Sequence, residues 1–290
     1  MTATTHARTP SVGILGCGLM GAGIAEVCAR AGADVTIVEN DEPAATAGRR
    51  RVEKSLDRAV ASGKLTEADR TVAWSRLQFG TDWDAFADRQ LVIEAIPEIA
   101  DVKVEAFRRI DAIVSSSESI LASNTSSIPI MRLAVATQRP ENVLGLHFFN
   151  PVPVLPLVEL VTSLLTADGT ATTAERFARE VLGKKVIHSQ DRAGFIVNAL
   201  LVPYLLSAVR MLESGFATAN DVDAGMVEGC AHPMGPLHLT DLIGLDTTLA
   251  VAESLYQEFK EQLYAPPPML LRMVEAGLLG RTGRGFFEYA

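Results

Sequence analysis

The chain has 290 residues, enough for two domains, each with its own core. Its 26 basic and 35 acidic residues leave a net charge of −9, which excludes an overall field that would draw in nucleic acid or an anionic membrane. Cys17, Cys28 and Cys230 have neither paired nor metal-ligand spacing, so they read as small buried side chains in a reducing compartment, with no metal site.

Residues 1–10 are polar, lack the apolar stretch of a signal peptide, and read as a flexible tail. Ser11–Leu15 is a short apolar strand. Gly16-Cys17-Gly18-Leu19-Met20-Gly21 follows directly, then a helix pattern over 22–31 that ends at Gly32. A second apolar strand, 35–38, closes on Glu39. Between strand and helix, with an acid about 20 residues on, G-x-G-x-x-G predicts a dinucleotide site. The glycines allow the tight turn and the close approach of backbone to a pyrophosphate, and Glu39 is placed to accept from a ribose 2′-hydroxyl.

A long polar helix is expected over 41–64, carrying Arg49, Arg50, Arg51, Lys54 and Arg58. That cluster is either a solvated face or a phosphate-binding one. Thr66-x-x-Asp69 opens another helix as a capping box, so two helices stand where one crossover helix would serve. Strands follow at 77–80 and 91–96, a helix at 102–115, and a strand at 120–122 that leads into Ser123-Asn124-Thr125-Ser126-Ser127. A polar cluster directly after a parallel strand falls at the carboxyl edge of the sheet, where ligands bind. Ser126 and Ser127 otherwise serve as helix caps.

Residues 143–162 hold two apolar β-type runs around a proline-rich connector. Folding back about Pro153 sets His147 opposite Glu159, and cross-strand partners are roughly 5 Å apart at Cβ. A carboxylate there accepts the imidazole N–H and raises its basicity, which is general-base machinery; the alternative is a His and a Glu satisfied in an ordinary hairpin. Thr172-x-x-Glu175 is expected to cap a helix, and 185–188 to close the sheet region. Past Asp191 the pattern becomes helical over 194–212, 218–229, 236–259 and 267–276. Its most apolar run, 199–209, contains Pro203 and is too short to span a bilayer, so a soluble, cytoplasmic protein is expected. Asn198 is a lone amide in an apolar stretch and must satisfy its hydrogen bonds against backbone or ligand. The fold expected is α/β: a doubly wound Rossmann-type nucleotide-binding domain over 1–190, with a helical insertion, and an all-α domain over 191–290.

With GCGLMG, EAIPE, ASNTSS, GLHFFNPVPVLPLVEL, GFIVNALLVPYL, HPMGPLHLTDLIGLDT and GRTGRGFFEY in order along it, the chain resembles the L-3-hydroxyacyl-CoA dehydrogenase family, and within it the short-chain actinobacterial type. The resemblance implies reversible oxidation of a (3S)-3-hydroxyacyl-CoA, short-chain and 3-hydroxybutyryl-CoA by preference, with NAD as cofactor and NADP not excluded. It makes His147 the catalytic base and Glu159 its orienting partner, with Ser126 and Asn198 on the reacting oxygen. Gly16, Gly18, Leu19, Met20, Gly21, Glu39, Glu98, Lys103, Ser126, Asn150 and Arg281 fall at cofactor positions, and Ser55 near coenzyme A. Ser62 stands where many relatives have Lys, with Lys64 close by; Arg281 stands for a usual Lys, and Ala193 for a common Pro. Substrate is expected in a cleft between the domains, and the apolar helical domain to form a homodimer through residues 195–290.

Two other readings stay open. The same dehydrogenase chemistry serves another hydroxyacyl group, such as a carrier-protein thioester or a sugar acid like gulonate. The other is a non-catalytic nucleotide-binding protein, which needs the glycines and Glu39 but has no use for His147, Glu159 and Asn198.

Overall fold

A computed structural model describes residues 9–280 and 283–289. The chain forms two compact units, Met1–Asp191 and Arg192–Ala290. The first unit is built on one eight-stranded sheet in the order β3-β2-β1-β4-β5-β6-β7-β8. The strands are β1 (Ser11–Leu15), β2 (Asp34–Val38), β3 (Leu77–Gly80), β4 (Leu91–Glu94), β5 (Ile120–Ser123), β6 (Val143–Phe148), β7 (Leu157–Thr162) and β8 (Lys185–Gln190). β4, β5 and β6 are buried throughout, as strands covered on both faces must be. Every pairing is parallel except β6 with β7, where the connector 149–156 is shorter than the dozen or so residues a crossover needs. Strand order reverses at β1, and the carboxyl ends beside such a switch point form a ligand crevice.

The helices of this unit begin where side chains satisfy their first amides. α1 (Leu19–Arg30) follows the glycine turn. α2 (Glu42–Ala61) is capped by Asp41, whose Oδ1 accepts from Ala44 N at 2.7 Å. α3 (Glu67–Ser75) is capped by Thr66, which accepts from Asp69 N at 3.1 Å and donates to Asp69 Oδ2 at 2.6 Å, the capping box read from the sequence. α4 (Ala100–Ile113) covers the next crossover. α5 (Ile130–Ala134) has a remote cap: Asp191 accepts from Ile130 N at 2.8 Å and Met131 N at 2.7 Å.

α6 (Asp168–Arg176) corrects one expectation. Thr172 lies inside this helix and donates to Asp168 O at 2.8 Å, while Glu175 accepts from Arg179 Nε at 2.6 Å. The Thr-x-x-Glu spacing therefore marks no helix start.

The second unit is helical and packs around Val202, Leu206, Val209, Leu237, Val251, Leu255 and Leu270. α7 (Val197–Glu213) starts three residues later than expected, because Gly194 and Phe195 take left-handed φ of 71° and 51°. α8 (Ala219–Cys230) is capped by Thr218. The single helix expected over 236–259 is two, α9 (Pro236–Ile243) and α10 (Leu245–Phe259), broken at Gly244 with φ of 102°. α11 (Pro268–Glu275) follows. Cys17 and Cys28 are buried as expected, but Cys230, at the end of α8, is exposed. No described helix is long and apolar enough to cross a membrane.

Candidate active site

The turn after β1 is tight because its glycines are crowded. Gly16 has φ of 88°, and a Cβ on it would lie 2.9 Å from Ala95 O. A Cβ on Gly21 would meet Gly16 O at 2.0 Å, so α1 rises directly against the turn. Gly18 is different: nothing lies within 4 Å of its Cβ position. It begins α1 with no side-chain cap, which leaves the first-turn amides of Leu19 and Met20 and the positive helix end turned toward that open space. At the end of β2, Glu39 accepts from Cys17 N at 2.5 Å through Oε1. Among the described residues its Oε2 has no hydrogen bond, so it remains an acceptor. An open glycine, uncapped amides and a half-buried carboxylate fit the pyrophosphate and ribose of a dinucleotide.

Two strands along, the carboxyl edge holds a charge network. Lys103 is 1 % exposed; its Nζ donates to Glu94 Oε1 at 2.5 Å and to Ile96 O at 3.2 Å, and lies 3.1 Å from Glu98 Oε2. Glu94 also accepts from Ile96 N at 2.7 Å and Ser123 Oγ at 2.6 Å, which ends β4 two residues before the expected position 96. Glu98 Oε1 organises the polar cluster after β5: it accepts from Thr125 Oγ1 at 2.5 Å, Ser126 N at 2.9 Å, Ser127 N at 3.0 Å and Ser127 Oγ at 2.9 Å. Burial pushes the Glu98 carboxyl upward, but the Lys103 ammonium and these donors outweigh it and hold it below the ordinary range. Lys103 thus sits behind Glu98 rather than on the surface. Ser123 and Thr125 entered the sequence reading only as members of the polar cluster after the strand, and Glu94 had no role in it; an acid closing an otherwise apolar buried strand was the available signal.

On the same edge, β6 and β7 pair His147 directly with Glu159. His147 Nδ1 and Glu159 Oε2 are 2.6 Å apart, both residues are buried, and the Phe149 ring lies 4.6 Å from the imidazole centroid. A carboxylate accepts, so Nδ1 carries the proton and Nε2 is the basic nitrogen. Asn124 Oδ1 accepts from Phe148 N at 2.8 Å and ties the β5 cluster to the strand carrying His147. Lys184 Nζ donates to Val152 O at 2.6 Å and Leu155 O at 2.7 Å, fixing the connector. Asn150 is exposed within it.

The other expected residues are distributed more loosely. Ser55 is half-buried on α2, and Ser62 and Lys64 are exposed past its end. The basic cluster divides: Arg51 Nη1 donates to Cys17 O at 2.5 Å, and Arg49 lies over the Trp74 ring at 5.3 Å, while Arg50, Lys54 and Arg58 face solvent. Asn198 is at the second position of α7 in the helical unit and only half-buried, so it is not the enclosed amide its apolar neighbours suggested. Arg281 lies outside the described residues.

A dinucleotide-binding turn sharing its sheet edge with a buried imidazole–carboxylate pair belongs to the class of nucleotide-dependent dehydrogenases. Residues 11–192 match the NAD binding domain of 3-hydroxyacyl-CoA dehydrogenase, and residues 194–289 match its C-terminal domain. A 3-hydroxybutyryl-CoA dehydrogenase of Mycobacterium tuberculosis is 59% identical over 279 residues, 96% of this chain and 98% of the relative. The crystal structure of M. tuberculosis FadB2 superposes with a TM-score of 0.96 at 58% identity, covering 98% of this chain and 100% of that one. (S)-3-hydroxybutyryl-CoA dehydrogenase PaaH1 from Ralstonia eutropha gives 0.91 at 45% identity, over 98% and 100%. The chain belongs to the 3-hydroxyacyl-CoA dehydrogenase family. It is an oxidoreductase whose cofactor is NAD, as the resemblance implied.

Proposed function

We propose that the protein interconverts (3S)-3-hydroxybutyryl-CoA and acetoacetyl-CoA. The observation that carries the reading is the 2.6 Å contact between buried His147 and Glu159 on the sheet edge that also holds the glycine turn. NAD, when bound, supplies the acceptor for the hydride of the alcohol carbon. His147 Nε2 removes the hydroxyl proton, and in the reverse direction its imidazolium returns it. Glu159 holds the tautomer and favours the imidazolium by charge. Ser126 and Asn198 are assigned to the oxygen on which charge changes. Glu98 holds the Ser126 amide, and Lys103 holds Glu98.

The short acyl chain is taken from the relatives' activities, and Ser55 with exposed Lys54 and Arg58 on α2 supports a phosphate-bearing coenzyme A. The helical unit leaves Leu200, Met211, Phe216 and Leu242 exposed, which supports a homodimer formed through it. Three free cysteines support a cytoplasmic location. The deciding assay is reduction of acetoacetyl-CoA with NADH and with NADPH. Turnover with NADH is expected, and a preparation that binds NADH but reduces no 3-ketoacyl thioester overturns the proposal. Light scattering that reports an active monomer overturns the dimer.

A further inference from the structure

Cys17, inside the glycine turn, is gripped by opposite charges at its two backbone polar atoms. Its N–H donates to Glu39 Oε1, and its carbonyl accepts from Arg51 Nη1, each at 2.5 Å. Arg51 comes this close because Gly48, one turn earlier on α2, lies against the same residue. A Cβ on Gly48 would fall 2.6 Å from the Cys17 Cβ. The Cys17 thiol reports both neighbours. Burial pushes it up to about 12, the Glu39 charge adds to that rise, and the Arg51 charge opposes it.

The carboxylate and the guanidinium therefore lie within the span of one residue, where the acid ending the second strand reads the ribose 2′-hydroxyl in such folds. Arg51 is exposed, and among the described residues Nη1 is its only hydrogen-bonded side-chain nitrogen. Its remaining donors keep the planar fork that suits a phosphate. Arg49 is engaged differently, over Trp74 at 5.3 Å and Phe79 at 5.9 Å. The sequence alone gives no reason to separate Arg49, Arg50 and Arg51; the contact with the glycine turn does.

Resting on the dinucleotide reading above, the geometry points to Arg51 as a second determinant of cofactor choice. Glu39 repels a 2′-phosphate, and Arg51 is the group that holds one once that carboxylate is neutral. In the protein as it stands, Arg51 anchors the turn through Cys17 O and leaves discrimination to Glu39. Cofactor choice is then set by the balance of two charges on one residue's backbone.

The test is calorimetric binding to the substrate-free protein, with 5′-ADP, 2′,5′-ADP, NADH and NADPH as probes. The unsubstituted protein should bind 5′-ADP more tightly than 2′,5′-ADP. Glu39→Gln should tighten 2′,5′-ADP and NADPH by about tenfold or more, which is ~1.4 kcal/mol. Glu39→Gln/Arg51→Gln should lose that gain, and Glu39→Gln/Arg50→Gln should keep it. If Glu39→Gln lowers the melting temperature enough to hinder the titration, Glu39→Ser replaces it. Absence of any gain on neutralising Glu39 overturns the inference, as does a gain that survives loss of Arg51. Failure of the unsubstituted protein to bind both NADH and 5′-ADP would instead overturn the dinucleotide reading itself.

Discussion

His147 and Glu159 meet at 2.6 Å as directly opposed residues of β6 and β7, the one antiparallel pair among the described strands of the sheet. The short connector makes the two strands antiparallel, and the pairing register then brings imidazole and carboxylate to the same face. Local chain geometry brings the acid–base pair together, and β5, through Asn124, holds the strand that carries His147.

His147→Gln is expected to lower kcat by roughly 10²–10⁴-fold, the worth of a positioned acid–base group, with little change in NADH affinity. Glu159→Gln keeps the shape and removes the charge. It should lower kcat less, because imidazolium loses the anion that favours it. The double variant should be about as slow as His147→Gln, since residues acting as one unit are non-additive. Steady-state rates across pH decide, and independent, multiplying losses would show that the two do not act together.

Glu98 makes the sheet edge acid-sensitive. Its folded carboxyl titrates below the ordinary range, so its contribution to stability is complete above about pH 4.3, the usual carboxylate value. That contribution fades as pH falls from there through the lower, folded value. Glu98→Gln should cost about 1.5 kcal/mol at neutral pH, the low end for charge-assisted bonds because the Glu98 side chain is 28 % exposed. Urea unfolding of both proteins at about pH 7 and about pH 3.5 tests this: the gap should narrow on acidification. A gap that stays constant refutes the assignment.

Much of this was legible because the signals are local. The glycine turn with Glu39, the Thr66 cap and the fold-back about Pro153 each join residues close in sequence. What escaped depends on contacts across the fold. Asp191 caps a helix some 60 residues earlier, Glu98 gathers Thr125, Ser126 and Ser127 from the next loop, and Arg51 reaches back to Cys17. The 236–259 pattern hid a break because apolar periodicity continues through Gly244, whose positive φ no side-chain pattern records. Thr172 misled for the opposite reason: a Thr-x-x-Glu spacing also arises inside a helix, where the hydroxyl bonds the preceding turn.

Lys184→Met should loosen the connector between the paired strands. The ammonium satisfies two carbonyls, Val152 O and Leu155 O, and methionine satisfies neither. A loss of about 2 kcal/mol or more is expected from unpaired buried acceptors. Limited proteolysis should gain a cut within 149–156, and kcat should fall more than NADH affinity. Unchanged protease resistance would mean that the connector holds without Lys184.

The cysteines should separate sharply under alkylation. Burial pushes the thiols of Cys17 and Cys28 up to about 12, and Cys230 is exposed. Thiolate is the reactive form, so iodoacetamide at about pH 8 should modify Cys230 alone until the protein is unfolded. Peptide mass spectrometry reads the order. Labelling of Cys17 at the rate of Cys230 would show that the glycine turn opens readily.

Two glycines should answer alanine in opposite ways. Gly145 pairs with Val161 two residues before His147, and an added Cβ would lie 2.9 Å from Val161 Cβ and 3.0 Å from Ile130 Cδ1. The interior has no room to yield there, so Gly145→Ala should cost about 1–3 kcal/mol by overpacking. It should also lower kcat, because residues two apart on a strand share a face and the strain is passed to His147. Gly18 has φ of −63°, open to any residue, and nothing lies within 4 Å of its Cβ position. Gly18→Ala should melt with the unsubstituted protein, yet bind NADH at least about tenfold more weakly, since the new methyl occupies the space a pyrophosphate needs. Melting curves and NADH titration of the two variants separate the roles. Full NADH affinity in Gly18→Ala would show that the open side of the turn is not where the dinucleotide lies.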